Sequence, residues 1–490
     1  MTEMTPQPVP ARTRIAKKPP RPAGRTAMAA VAVMIALTVR ATMFDYRSAD
    51  YVMFLKPWYN HIADNGGYHA LRSDFSDYNV PYLYLMAFLT YLPVPALAGI
   101  KTISVLFDLL LAFFTYRIVR LRFLDSWQPV AAATAVLFLP TVVANSARWG
   151  QADSIFTAFL IGGLYYVLRA RHWLAGAFFG LALGFKLQAV FIFPLLGILV
   201  LRKRLPWPSL LAIPGVYLAL DVPALLLGAA PEKLLTVYAR QTGTYQQLTL
   251  NAASVYQFIA PGTHADILRT AGVVFTGALV AILTVITVRS RVELTPTRIV
   301  LVATASVIAV PFFLPSMHER YFYPADVLSV IAACYLPRRL WYLPVAVQVA
   351  SFLTYLTYFA QSSQPVGGGA TGNSAVSGAG GNAAAFPPAP ELKLAAALMA
   401  LALVAVLWSA VREFRAHVRS TPATGGTGNR ARSSRCRPPR AFSRLPGLRQ
   451  VHISMSRHDG TMTATSATGT AALTVHGGGP VPRIPALAAG

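Results

Sequence analysis

Long apolar stretches separated by short basic turns are the dominant pattern along this chain. A transmembrane helix needs about 20 mostly apolar residues. Judged against that length, about twelve segments read as spans, near 27–44, 100–118, 128–146, 154–169, 173–186, 188–201, 208–228, 268–288, 298–315, 321–336, 341–360 and 391–411. The period-two alternation of membrane β-strands is missing. The predicted fold class is therefore an all-α polytopic membrane protein. Residues 80–97 are apolar as well, but counting them as a span inverts every later loop. With Pro81, Pro93 and Pro95 they read instead as a helix lying in or dipping into the outer leaflet. They then belong to a long first extracytoplasmic loop from Asp45 to about Gly99.

Lys and Arg set the orientation. With the N-terminal basic stretch in the cytoplasm, the turns Arg117–Arg122, Arg169–Arg171, Arg202–Arg204, Arg289–Arg291, Arg338–Arg339 and Arg412–Arg419 all fall on the same inner side. The composition agrees. Of 490 residues, 55% are hydrophobic and only 12% charged, with a mean hydropathy of +0.49; that is too little charge for a soluble surface. The net charge of +25 is concentrated at the two ends: six Lys/Arg against Glu3 in residues 1–26, and twelve Arg against Glu413 and Asp459 in 412–490. This is positive-inside anchoring. The tail is rich in Gly, Ser, Thr and Pro and has few aromatics to stack on bases, so nucleic acid is not an expected partner. Cys334 and Cys436, the only cysteines, imply neither a disulfide frame nor a thiolate metal site. The N-terminus reads as a membrane anchor, without the small-residue cleavage site of a signal peptide. Three regions follow: a basic cytoplasmic segment (1–26), an integral membrane domain (27–411), and a basic cytoplasmic tail (412–490) read as disordered from residue 420. Residues 362–390, rich in Gly, Ala and Ser, read as a flexible tether.

Ionisable residues that survive in so apolar a chain are functional candidates, and here they gather on the outer side. Asp50 stands where the first span leaves the membrane. It can act as a general base or cap a helix beginning at Tyr51. Asp77 and Tyr78, ahead of Pro81, either line a sugar pocket or cap and anchor a helix. In Trp149-Gly-Gln-Ala-Asp153, the Trp can stack on a sugar ring while Gln151 and Asp153 bind hydroxyls; the alternative is an interfacial Trp and a capping Asp. Lys186 interrupts an apolar run, where it costs about 2.5–3.5 kcal/mol unless it snorkels or is paired. His318-Glu319-Arg320 is the strongest signal: Arg320 can grip a phosphate with two parallel donors and His318 can add another. An internal ion pair of Glu319 with Arg320 or Lys186 is the competing reading. The outer loop 231–266, with Arg240 to Gln247 and Asn251 to Tyr256, has the amides, hydroxyls and aromatics suited to sugars. No His-Glu-x-x-His argues for zinc, and no Walker A or Gly-rich dinucleotide loop argues for a cytoplasmic nucleotide mechanism.

Taken in order, Asp50-Tyr51 with Trp58, Asp77-Tyr78 through Pro81, Trp149-Gly150-Gln151, Phe185-Lys186, Asn251 and His318-Glu319-Arg320 resemble the GT-C fold membrane glycosyltransferases. The nearer likeness is to bacterial proteins similar to the GPI second-mannose mannosyltransferase. A more distant one is to the dolichyl-phosphate-glucose-dependent glucosyltransferases of the N-glycan pathway. The likeness spans roughly residues 30–340. It implies inverting transfer of a hexose, with mannose favoured, from a polyprenyl-phosphate sugar to a glycolipid, glycan or protein acceptor, on the extracytoplasmic face of a bacterial cell membrane. Asp50 would be the base, with Asp45 of a second Asp-Tyr pair as its rival. Lys186, His318 and Arg320 would hold the donor phosphate, and Asp77, Tyr78, Gln151 and Asn251 would contact sugar or acceptor. No cofactor or metal is implied. A transporter or flippase of lipid-linked sugars is the alternative, and a non-catalytic scaffold a third reading.

Overall fold

The computed structural model describes residues 22–260, 264–290, 292–362 and 390–418, together with 454–458, 461–466 and 469–471. The helices are α1 (Pro22–Ala41), α2 (Lys56–Asp64), α3 (Val80–Leu89), α4 (Ala96–Arg122), α5 (Gln128–Phe138), α6 (Pro140–Val143), α7 (Asp153–Leu168), α8 (His172–Phe185), α9 (Phe193–Leu201), α10 (Ala212–Leu226), α11 (Pro231–Thr244), α12 (Ala265–Arg289), α13 (Pro296–Phe313), α14 (Tyr323–Tyr335), α15 (Pro337–Leu340), α16 (Leu343–Ser362) and α17 (Pro390–Val418). Every stretch read as a span falls on helix. Among the described residues, however, seven helices are long and apolar enough to cross a membrane, or eight if the bent pair α5 and Pro140–Trp149 is one span. Asp153–Leu168, His172–Phe185, Leu187–Leu201 and Tyr323–Tyr335 are shorter apolar helices. Large apolar side chains face outward, including Val274 at 66% and Ile286 at 60% exposure on α12. Such surface suits lipid rather than water. The protein is a multi-pass, all-α membrane protein.

Close helix contact is written into α8. Gly176, Gly180 and Gly184 recur every fourth residue on one face, and a Cβ on any of them would collide with Ser209, Ile213 or Leu220. This small-residue stripe lets α8 and α10 approach closely. Between α5 and α6, Pro140 lacks an N–H and biases Leu139 away from helix. Leu139 has ψ 126°, and the two parts diverge by 51°. The segment 80–97, read as a helix lying in or dipping into the outer leaflet, is helical over Val80–Leu89. α3 has ten residues, about 15 Å, and is mostly buried among α2, α4, α8 and α10. Asn79 caps it by accepting from the Val80 N–H at 3.0 Å.

A buried ion pair joins α1 to α4: Arg40 Nε lies 2.9 Å from Asp108 Oδ2, with both side chains at 2% exposure or less. The Ser146 hydroxyl donates to the same oxygen at 2.6 Å. The predicted 362–390 tether falls almost wholly outside the described residues. At the tail, α17 continues to Val418, past the predicted boundary at 412. Ala423–Gly490 is a separate unit, within the 420–490 stretch that reads as disordered in the sequence. Its described residues form an antiparallel meander of β3 (Ser454–His458), β4 (Thr461–Ser466) and β5 (Gly469–Ala471); the rest of it lies outside the described residues. The other two strands, β1 (Thr249–Leu250) and β2 (Met317–His318), pair in parallel within the membrane unit.

Candidate functional site

The chain beyond α1 is held by Lys101 of α4. Its fully buried side chain donates to the carbonyls of Met43, Phe44 and Tyr46 at 2.8, 2.9 and 2.6 Å. Ser48 then donates to the Trp149 carbonyl at 2.7 Å and accepts from the Tyr51 N–H at 3.1 Å. These contacts set Asp50 beside the 149–153 turn. That turn is shaped by a π-helical stretch, Ala144–Trp149, and by Gly150 at φ 79°, a left-handed conformation natural to glycine. A second π-helical stretch, Tyr51–Leu55, begins directly after Asp50. Single π turns of this kind frequently mark functional sites.

Asp50 makes no capping bond to the helix that follows. Its Oδ2 accepts from Trp149 Nε1 at 3.0 Å and from Gln151 Nε2, and its Oδ1 accepts from the Tyr358 hydroxyl at 2.8 Å. Arg320 Nη1 stands 3.9 Å from Oδ2, and the Asp50 side chain is 17% exposed. Trp149 is fully buried and stacks on Tyr358 with ring centroids 4.0 Å apart. It is a wall of the site rather than an interfacial anchor.

Asp153 also departs from the capping reading. It is the first residue of α7. Its Oδ1 lies 2.6 Å from Lys186 Nζ, and its Oδ2 accepts from Asn145 at 2.8 Å. Lys186 sits in an extended conformation where α8 breaks, φ −151° and ψ 138°, which turns its side chain back to Asp153. The pair is buried, at 8% and 1% exposure. Lys186 therefore neither snorkels nor pairs with Glu319.

Glu319 instead pairs with Arg320 at 2.9 Å and faces His318 Nδ1 at 3.8 Å. Burial opposes ionisation of Glu319, but the neighbouring His318 ring and the Arg320 guanidinium hold its carboxyl below the ordinary range. Burial likewise works against the charge on Arg320, while Glu319, Asp50 and Asp153 together keep it firmly protonated. Arg320 Nε is 3.8 Å from Asp153 and has no hydrogen-bond partner. Burial pushes the Tyr78 hydroxyl well above its ordinary range, so it stays a donor. The His318 ring packs edge-on against Tyr245, 4.7 Å between centroids.

Asp50, Lys186, His318, Arg320, Tyr78 and Gln151 thus gather in one place, with the Tyr78 hydroxyl donating to Gln151 Oε1 at 3.3 Å and Lys186 Nζ lying 5.5 Å from the Tyr78 ring. Asp77 is exposed, and its carbonyl accepts from Gln241. Asn251 reaches His318 through a backbone bridge, while its side chain donates to Gln361 at 2.9 Å. Asp45 is exposed at the end of α1, near Lys101. A small cavity of about 40 Å³, lined in part by Tyr78, Asp74, Lys233 and Arg240, adjoins the site without including Asp50. Asp74 lies 3.7 Å from Lys233 and 3.5 Å from Arg240 there. Tyr358 and Asn145 are the members that sequence reasoning missed.

Residues 75–316 match the model of Glycosyltransferase family 87. This is a family of membrane glycosyltransferases, and the likeness indicates that activity class for the chain. The matched segment contains Trp149, Gln151, Asp153 and Lys186, and ends just before Met317. The match speaks to glycosyl transfer and leaves the sugar, donor and acceptor open. No curated protein matches the chain.

Proposed function

We propose that the protein is an inverting glycosyltransferase that moves a hexose, with mannose the first choice, from a polyprenyl-phosphate sugar to an acceptor on the extracytoplasmic face of a bacterial cell membrane. The observation that carries this reading is the 3.9 Å approach of Arg320 to Asp50. A candidate base and a cation with an unused buried donor share one site. Arg320 and His318 hold the donor phosphate and stabilise it as it leaves. Lys186 adds positive charge from behind; Asp153 takes one of its three ammonium donors. A carboxylate offers about four acceptor positions, and three of those on Asp50 are filled by Trp149, Gln151 and Tyr358. The fourth accepts the proton of the acceptor hydroxyl. Its oxygen attacks the anomeric carbon as the bond to the phosphate oxygen breaks, which inverts that carbon. Gln151 and Tyr78 contact the sugar, with Asp77 and Asn251 at the rim. Asp50, rather than Asp45, has the phosphate-binding cation beside it.

The nearer resemblance, to bacterial relatives of the GPI second-mannose mannosyltransferase, supports mannose. A transporter of lipid-linked sugars is the second reading. The Arg40–Asp108 pair and the fully buried Asp326 favour it, because ionisable groups inside a membrane bundle often mark translocation paths. The test is sugar transfer in proteoliposomes from synthetic polyprenyl-phosphate mannose, with glucose and other donors in parallel, to extracted glycolipids. Wild type should form a glycosidic product and Asp50→Asn should not. Flux of the donor with no product from any donor would instead select the transporter.

A further inference from the structure

We propose that the end of the bundle away from Asp50 carries a phosphate-binding site built for the headgroup of an anionic phospholipid. Four helices connect the two ends. α4 reaches the site through Ser104, which donates to the Gln151 carbonyl at 2.7 Å, and ends at Arg122. α7 begins at Asp153 and gives way to Arg169. α13 ends just before Met317 and begins at Pro296, and α14 starts just after Arg320 and ends at Tyr335. At about 1.5 Å per residue, α4 alone spans about 40 Å. A cavity of about 520 Å³ opens where the far ends meet, lined by Arg122, Arg169, Thr297, Tyr335, Leu121 and Leu168 among others. That volume lies in the range of small-molecule sites, roughly 300–1,000 Å³.

Several arginines of the neighbouring basic turns are already engaged. Arg339 is 2.7 Å from Glu413 and Arg204 3.7 Å from Glu293. Arg298 donates to the carbonyls of Glu413 and Glu293, and Arg202 to those of Thr287, Val288 and Val292. Among the described residues, neither Arg122 nor Arg169 forms an ion pair. Arg122 is nevertheless oriented: Nη1 donates to the Thr297 hydroxyl at 2.9 Å, and the guanidinium lies over the Tyr335 ring at 5.4 Å. Two guanidiniums with free donors, a hydroxyl and the positive N-terminal end of an 18-residue helix converge on one cavity. A phosphate meets those donors and that dipole. Leu121 and Leu168 give the cavity an apolar wall. Leu124, Trp127 and Trp173 at the same end are 55–70% exposed, as side chains at a lipid interface are. The lipid is therefore the favoured carrier of the phosphate.

The test uses the full chain in phosphatidylcholine nanodiscs and reads retention of phosphatidylglycerol by native mass spectrometry. Inorganic phosphate serves as a soluble competitor. The proteins are wild type, Arg122→Gln/Arg169→Gln, and Arg204→Gln as a control for surface charge. Wild type should retain phosphatidylglycerol over phosphatidylcholine. The double variant should lose about tenfold or more in affinity, and Arg204→Gln should match wild type. Displacement by millimolar phosphate would support the headgroup phosphate as the recognised group. Arginine-dependent binding of phosphate without the lipid would keep the site and make its ligand soluble. Equal retention of both lipids with no phosphate binding, or equal loss in the Arg204 control, would overturn the proposal. If the double variant does not fold, Arg169→Gln alone carries the test, because Arg169 is exposed and removes no internal contact. The outcome does not depend on the glycosyl-transfer reading.

Discussion

Asp50 and Asp153 lie in neighbouring parts of one charge cluster, each within 4 Å of Arg320, yet their surroundings are opposed. Asp153 is sealed at 1% exposure, and its two oxygens are taken by Lys186 and Asn145. Asp50 is held by three neutral donors and keeps 17% exposure. A buried ion pair is expensive to break and contributes little net stability when intact. A carboxylate aligned by neutral donors with a position left over is free to meet a ligand. On the function proposed above, one corner braces the site and the other faces what enters it.

The largest effect should come from the open corner. Asp50→Asn is expected to lower transfer about a hundred- to ten-thousand-fold while the protein keeps its thermal midpoint; a full rate would move the base elsewhere. Asp153→Asn should do the reverse of what a chemical role implies. It strands Lys186 and destabilises the fold by about 3–5 kcal/mol, read as a lower midpoint in detergent. Adding Lys186→Met should restore much of that loss, and an unaltered midpoint for the single variant would erase the contrast between the corners. Arg320→Lys keeps the charge but loses the fork. It should cost about 10- to 100-fold in kcat/KM, checked by steady-state kinetics over donor concentration. Tyr358→Phe removes one donor to Asp50 and should lower kcat about three- to tenfold, with donor KM nearly unchanged. The smallest effect concerns Glu319. Its folded pKa is depressed from 4.5, so the stability it contributes is present above that value and lost as pH falls through the lower folded one. Glu319→Gln should flatten the acid side of the midpoint-versus-pH curve and change little near pH 7.

The helices were legible because membrane insertion writes itself into composition: the apolar runs fall on helix. Their crossing was less legible. α14, with 13 residues, is too short to span a bilayer core as a straight helix, yet its sequence looks like that of its neighbours. In the site, Lys186 and the 318–320 run stood out because charge in an apolar context has few explanations. Tyr358 did not. In the sequence it sits among Phe352, Tyr355 and Phe359 of α16, where an aromatic at a helix end reads as an interfacial anchor, and only the fold brings it across to Asp50. Asp153 was read as a cap or a sugar contact because its real partner, Lys186, comes 33 residues later. The packing of 80–97 against neighbouring helices was hidden for a related reason. Hydropathy cannot tell lipid from the apolar flanks of α4, α8 and α10.

The Arg40–Asp108 pair also has a meaning in time. The chain is made from its N-terminus, and 68 residues separate the two partners. At about 5–20 residues per second, the arginine is made several seconds before the aspartate. During that interval α1 carries an unneutralised cation near its end, which holds that end at the headgroups rather than letting it settle among the acyl chains. Only when α4 arrives does the charge on Arg40 meet its buried partner. The first helix of this protein is finished by the fourth.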